Sequence, residues 1–263
     1  MLPVRTESPM SRRKRFLIIL AVVVVLCGAY VLFFGIVTMF AVEARYMGWK
    51  MPVVKQTPRA LQNSSISGAA GRKLSYFGYE FEVPWDDVDD ARTKVYPNGL
   101  VGIVFHSGVT MIFTRSGPKE SVTGVQSKLH DTLQACYGEK VLQSDYALTR
   151  LILEATPDKI TLLTSRKDAV GGLVLLVLKG IATGTEANSG IYSIETRHFQ
   201  GFQYGGPQSR PRKIIVDLFA DDGGRLEFIF GGKDGPANIS QSDINRVVQT
   251  VHQTGPRDSR AKP

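Results

Sequence analysis

The sequence is poor in the residues that build metal centres and disulfide frameworks. Only two of its 263 residues are cysteine and four are histidine. Cys27 lies inside a long apolar run and Cys136 in the polar body of the chain. The two are not expected to pair, and there is no C-x-x-C. That argues against a small disulfide-stapled ectodomain. His106, His130, His198 and His252 are scattered singly, without ligand spacing. No G-x-S-x-G elbow exists. Gly231, Gly232 and Gly235 lack the strand-then-helix context and the lysine of a phosphate loop. A concentrated basic face is missing too. Half of the +8 net charge sits in the first 42 residues, and part of the rest in the tail. The nearest cluster, Arg210, Arg212 and Lys213, reads as a solvated turn before a strand, so no nucleic-acid partner is expected.

Charge is absent altogether from residues 16–42, FLIILAVVVVLCGAYVLFFGIVTMFAV. As a helix this run measures roughly 40 Å, and a bilayer core of roughly 30 Å needs about 20 residues. A cleaved leader would carry a shorter apolar core and a small-residue cleavage site, which the exit Ala41-Val42-Glu43-Ala44 does not supply. The run is expected to be an uncleaved signal-anchor whose partner is the lipid bilayer. Arg12, Arg13, Lys14 and Arg15 abut it on one side, and basic flanks stay cytoplasmic. The expected topology is a basic cytoplasmic tail (1–15), one transmembrane helix (16–42), a flexible tether (43–73), an extracytoplasmic α+β domain (74–254) and a disordered tail (255–263). That places the protein in the inner (plasma) membrane as a single-pass protein. Tyr46, Met47 and Trp49 suit the outer headgroup zone.

Within the domain, residues 74–83, LSYFGYEFEV, alternate as one half-buried strand ended by Pro84. Residues 86–94 offer a short helix or turn. Residues 100–106 and 109–115 form a hairpin about Ser107-Gly108. Helices are expected over 121–136, after the cap Ser144, after Thr156-Pro157-Asp158, and from Ser165 to residue 181. The run 169–178, AVGGLVLLVL, is too short to span a bilayer and reads as a buried helix. Strands follow at 190–199, 213–220 and 225–231, the last two joined through Asp222-Gly223. Ser240 and Asp243 form a capping box ahead of the apolar stripe Ile244, Val247, Val248 and Val251. Strands, helices, strands and a last helix favour an α+β fold: an antiparallel sheet of five or six strands with helices mainly on one face.

The stretch 74–94, LSYFGYEFEVPWDDVDDARTK, with 190–204 and 240–249, resembles a family of uncharacterised bacterial membrane-anchored proteins. That resemblance implies a single-pass anchor and brings no activity with it. The element order is also similar to the PsbP/Mog1-like α/β/α sandwich, an analogy of topology that carries over no functional residue.

Asp86, Asp87, Asp89 and Asp90 are the densest charge cluster. They lack calcium-loop spacing and read as the acidic start of a helix after Trp85. His106 beside Ser107 reads as a hairpin turn, since neighbouring strand residues face opposite ways. Tyr192, Phe199, Phe202 and Tyr204, set among glycines and glutamines, read as core and loop or as a recognition surface. No catalytic, cofactor-binding or metal-binding residue is assigned, and no cofactor is expected. The reading favours a tethered, non-enzymatic domain binding an envelope protein or ligand. The alternative is a membrane-anchored hydrolase assembled from distant residues. A pocket joining His106 or His198 to an acid and a nucleophile would favour the enzyme, and an aromatic groove near Phe202 would favour binding.

Overall fold

The uncharged run forms the middle of one unbroken helix, α1 (Arg12–Lys50), 39 residues long. The computed structural model describes residues 12–61, 71–116, 127–183, 187, 190–206, 213–221, 223–232 and 239–254, with backbone alone at 12–19, 29 and 32–34. The described side chains of α1 divide sharply. From Leu20 to Val31, and at Ile36, the large apolar ones are exposed. From Val37 onward a stripe of small and apolar residues, Val37, Ala41, Ala44 and Met47, is buried. Spacings of three and four place these on one helical face, which packs along α5 (Arg166–Ala182).

That packing corrects the expected tether. Residues 43–50 continue α1. A 3-10 turn at Pro52–Lys55 buries Val53 and Val54. Strand β1 (Arg59–Ala60) then pairs in parallel with β7 (Ile191–Glu195). The folded body thus begins near Val37 rather than Leu74. Residues 62–70 lie outside the described part, as does the expected tail at 255–263.

The expected single strand over 74–83 is instead a tight hairpin: β2 (Arg72–Tyr76) and β3 (Tyr79–Val83), antiparallel. Phe77 (φ 53°) and Gly78 (φ 81°) form its turn. Two consecutive positive φ angles are the geometry of the turn whose twist suits a two-residue hairpin loop. β4 (Lys94–Tyr96), β5 (Leu100–Val104) and β6 (Val109–Ser116) follow. The helices α2 (Ser127–Tyr137), α3 (Glu139–Leu142), α4 (Asp145–Glu154) and α5 come next. Residues 121–126 of the expected first helix are outside the described part. Ser144 and Ser165 each accept a backbone N–H at a helix start, as expected. Thr156-Pro157-Asp158 starts only a 3-10 turn (Pro157–Lys159), and Thr156 makes no side-chain cap. The run 169–178 lies within α5, with Leu175 and Leu176 buried.

β7 and β8 (Phe199–Tyr204) form a hairpin where one strand over 190–199 was expected. β9 (Lys213–Ala220) and β10 (Arg225–Gly232) follow, then α6 (Gln241–Thr250) and β11 (His252–Gln253). The capping box of Ser240 and Asp243 is complete in both directions.

The fold is α+β. Among the described residues one sheet has eight strands in the order β1-β7-β8-β9-β10-β6-β5-β4, and a second has three, β11-β3-β2. The large sheet is mixed rather than purely antiparallel, because β1 joins its edge in parallel. The small sheet and α6 cover one face. There Phe81, Phe113 and Phe228 meet with centroids 4.9–5.3 Å apart, at the centre of a core with Ile244, Val247 and Val248. Helices α1 to α5 gather on the opposite face over β7, β8 and β9, around Phe202, Tyr204 and Phe219.

Candidate functional site

A cavity of about 430 Å³ opens between α4 and the β1-β7-β8 edge. On α4, Tyr146, Arg150 and Glu154 stand at steps of four and share a face. The far wall comes from Glu195 and Gln200, with Phe202 on its floor. Tyr146 stacks on Phe202 at 5.5 Å and 16°. Arg150 Nε donates to Glu154 Oε1 at 2.7 Å, and that bond raises the guanidinium pKa. The result is an aromatic plane flanked by a guanidinium and carboxylates. It suits a ligand with a flat apolar part and hydrogen-bonding groups, within the size range of small-molecule sites. The lining residues include no histidine, cysteine or lysine. Ser193, at its wall, directs its hydroxyl to the Arg59 carbonyl at 3.4 Å.

Sequence reasoning singled out Phe202 but missed Tyr146, Arg150 and Glu154 as a set. Their spacing on a capped helix was the available signal. Phe199 and Tyr204 do not line the cavity. Phe199 packs in the core beneath the small sheet and Tyr204 beneath the helices.

The four aspartates do not begin a helix. Val88 bridges Phe105, and Asp87 and Asp89 fasten the β5–β6 hairpin. Asp87 accepts from the Ser107 amide at 2.5 Å. Asp89 accepts from the Arg92 amide at 3.1 Å and from its Nε. The Arg92 hydrogen bond holds the Asp89 carboxyl below its usual range. His106 Nδ1 lies 3.7 Å from Asp89, and Asp90 lies 3.6 Å from Arg72. Asp86 is exposed. No group of three or more His, Cys, Asp or Glu among the described residues is placed to hold a metal. His130 and His252 stand apart, each 3.9 Å from a carboxylate (Asp131 and Glu80), and none of His130, His198 and His252 lines the cavity.

Two buried polar groups escaped the sequence reading. Lys179, fully buried on α5, donates to the carbonyls of Val54 (3.4 Å), Leu153 (2.7 Å), Ala155 (2.8 Å) and Gln56. Burial, with the Lys159 charge adding to it, pulls its pKa down to about 8. On β9 and β10, Arg225 Nη2 donates to Asp217 at 2.9 Å and to Glu227 at 3.3 Å. Burial raises the pKa of both carboxyls despite that arginine.

No family model, curated protein or solved structure matches the chain. The resemblances read from the sequence therefore rest on the sequence alone.

Proposed function

We propose that this protein is a single-pass, membrane-anchored, non-enzymatic binding domain. Its N-terminus is cytoplasmic, its domain extracytoplasmic, and the Tyr146–Phe202 cavity receives the ligand. The observation that carries the anchor is the exposed apolar length of α1. Leu20, Val22, Val23, Val24, Val25, Leu26 and Val31 all lie open with no protein cover, a surface that water tolerates poorly. Among the described residues no helix is long and apolar enough to cross a membrane. The uncharged run of α1, residues 16–42, supplies the apolar length of the span. Val37 and Ala41 are buried against the domain, which limits lipid to the part before them. Residues 16–36 would make a helix of roughly 31 Å, close to a bilayer core. Orientation rests on Arg12, Arg13, Lys14 and Arg15.

Alkaline carbonate washing of vesicles tests the anchor: the full chain is expected in the pellet, and release of intact protein would refute it. Protease added outside spheroplasts is expected to digest the domain, and full protection would reverse the orientation. Binding is supported by the half-buried Tyr146 ring, backed by Phe202, at the cavity beside the Arg150 guanidinium.

A further inference from the structure

Residues 161–165, between the Pro157–Lys159 turn and α5, present two leucines to solvent. Leu163 is 92% exposed and Leu162 44%. The turn carrying them is built, not frayed. The Thr161 amide donates to Thr164 Oγ1 at 2.8 Å, and the Thr164 amide donates to the Thr161 carbonyl at 3.1 Å. Thr164 Oγ1 also donates to the Lys159 carbonyl at 3.3 Å. Next come Arg166 and Lys167, both exposed, in the first turn of α5. Cations there oppose the helix dipole. Asp168, in the same turn, is engaged by the Ser165 hydroxyl at 2.7 Å. Two bare leucines beside two bare cations make a surface fitted to apolar chains beneath negative headgroups.

The packing places this turn where α1 leaves the domain. A side chain on Gly180, near the end of α5, would meet Met51, just past α1. One on Gly48 would meet Pro157, and one on Gly172 would meet Ile160. These approaches descend together: from Met51 back along α1, from Gly180 back along α5, and down the chain from Pro157 to Ile160. α5, which packs along α1 and shares its buried cluster, therefore runs in the same sense as α1, and its first residue lies roughly 20 Å back from Gly180 along the helix. Val37 lies about the same distance below Met51. Arg166, Leu163 and the last buried residue of α1 thus share one level, beyond which the described large apolar side chains of α1 are exposed.

Resting on the membrane reading above, we infer that the 161–167 segment is a second membrane contact. Leu162 and Leu163 enter the headgroup region beside α1, and Arg166 and Lys167 meet anionic lipid phosphates. The bilayer is the occupant because its surface continues from the bare part of α1 at the same level, and because the charges are complementary.

The test uses the full chain in vesicles of phosphatidylcholine and phosphatidylglycerol, with acyl chains brominated near the headgroup. Leu163→Trp is compared with Ile181→Trp, each read against the unsubstituted protein. Ile181 is 73% exposed and lies at the other end of α5. Neither substitution disturbs a buried contact. The tryptophan at 163 is expected to shift to the blue and be quenched, and the one at 181 to do neither. Equal quenching of the two, in protein that resists carbonate washing, overturns the second contact and leaves the anchor standing. Release by carbonate overturns both. Omitting phosphatidylglycerol, or pairing Arg166→Gln with Lys167→Gln, is expected to reduce the quenching at 163. Quenching indifferent to both changes overturns the role given to the two cations.

Discussion

The ammonium of Lys179 reaches the carbonyl of Ala155 at 2.8 Å, fastening the end of α4 to the last turn of α5. The same nitrogen holds the carbonyls of Leu153, Val54 and Gln56, so one side chain closes three segments at once. Lys179→Met keeps the apolar stem and takes this donor from the buried carbonyls of Val54, Leu153 and Ala155. Each such group costs about 1–3 kcal/mol. The variant is expected to lose roughly 3 kcal/mol or more in denaturant unfolding. A loss below about 1 kcal/mol would show that water reaches the carbonyls.

Asp217 gives a pH dependence. Its folded carboxyl, raised by burial, holds a proton more tightly than the same group in the unfolded chain, whose ordinary value is 3.8. The stability this contributes is fully present below 3.8 and is lost as pH rises through the higher folded value. Asp217→Asn removes that titration. Melting followed from acid to neutral pH is expected to decline more steeply in the wild type than in the variant. Parallel curves would refute the assignment.

Gly201, on β8, faces the backbone of Asp217, and a methyl group there would collide with that carbonyl and with Leu218. The neighbour is backbone in a central strand, so it cannot swing aside. Gly201→Ala is expected to destabilise by about 2 kcal/mol or more. Gly102→Ala, where nothing lies within 4 Å, serves as the control and is expected to change stability little. Equal midpoints for the two variants would contradict the close approach.

α1 belongs to the folded body, which can be tested away from lipid. Ala44 is fully buried, whereas Val42 is exposed. In mild detergent, Ala44→Leu is expected to lower the unfolding midpoint by the equivalent of about 1–3 kcal/mol. Val42→Leu is expected to leave it unchanged. A tether would respond to neither.

The sequence showed most where one side chain settles a local choice. Ser144, Ser165 and Ser240 cap the helices expected of them, because a cap needs only its own three following residues. The hairpin within 72–83 was missed because alternation continued across Phe77-Gly78, and a phenylalanine at positive φ is a rare turn residue. β8 was missed because its burial is nearly continuous and does not alternate: Gly201, Phe202, Gln203 and Tyr204 are all buried. The folded half of α1 was hidden by its own apolarity. A helix apolar all round does not reveal which stripe faces protein. The cavity was half legible. Phe202 stood out, but its partner Tyr146 lies more than fifty residues away, and only the packing of α4 on β8 unites them.

α1 crosses from its bare length to its packed length without a break, so no hinge separates the two. Whatever tilts or rotates the bare portion turns the domain as a lever turns its load, and the mouth of the Tyr146–Phe202 cavity swings with it. On the binding function proposed above, a ligand would meet an orientation set by the helix and not by thermal wandering on a leash.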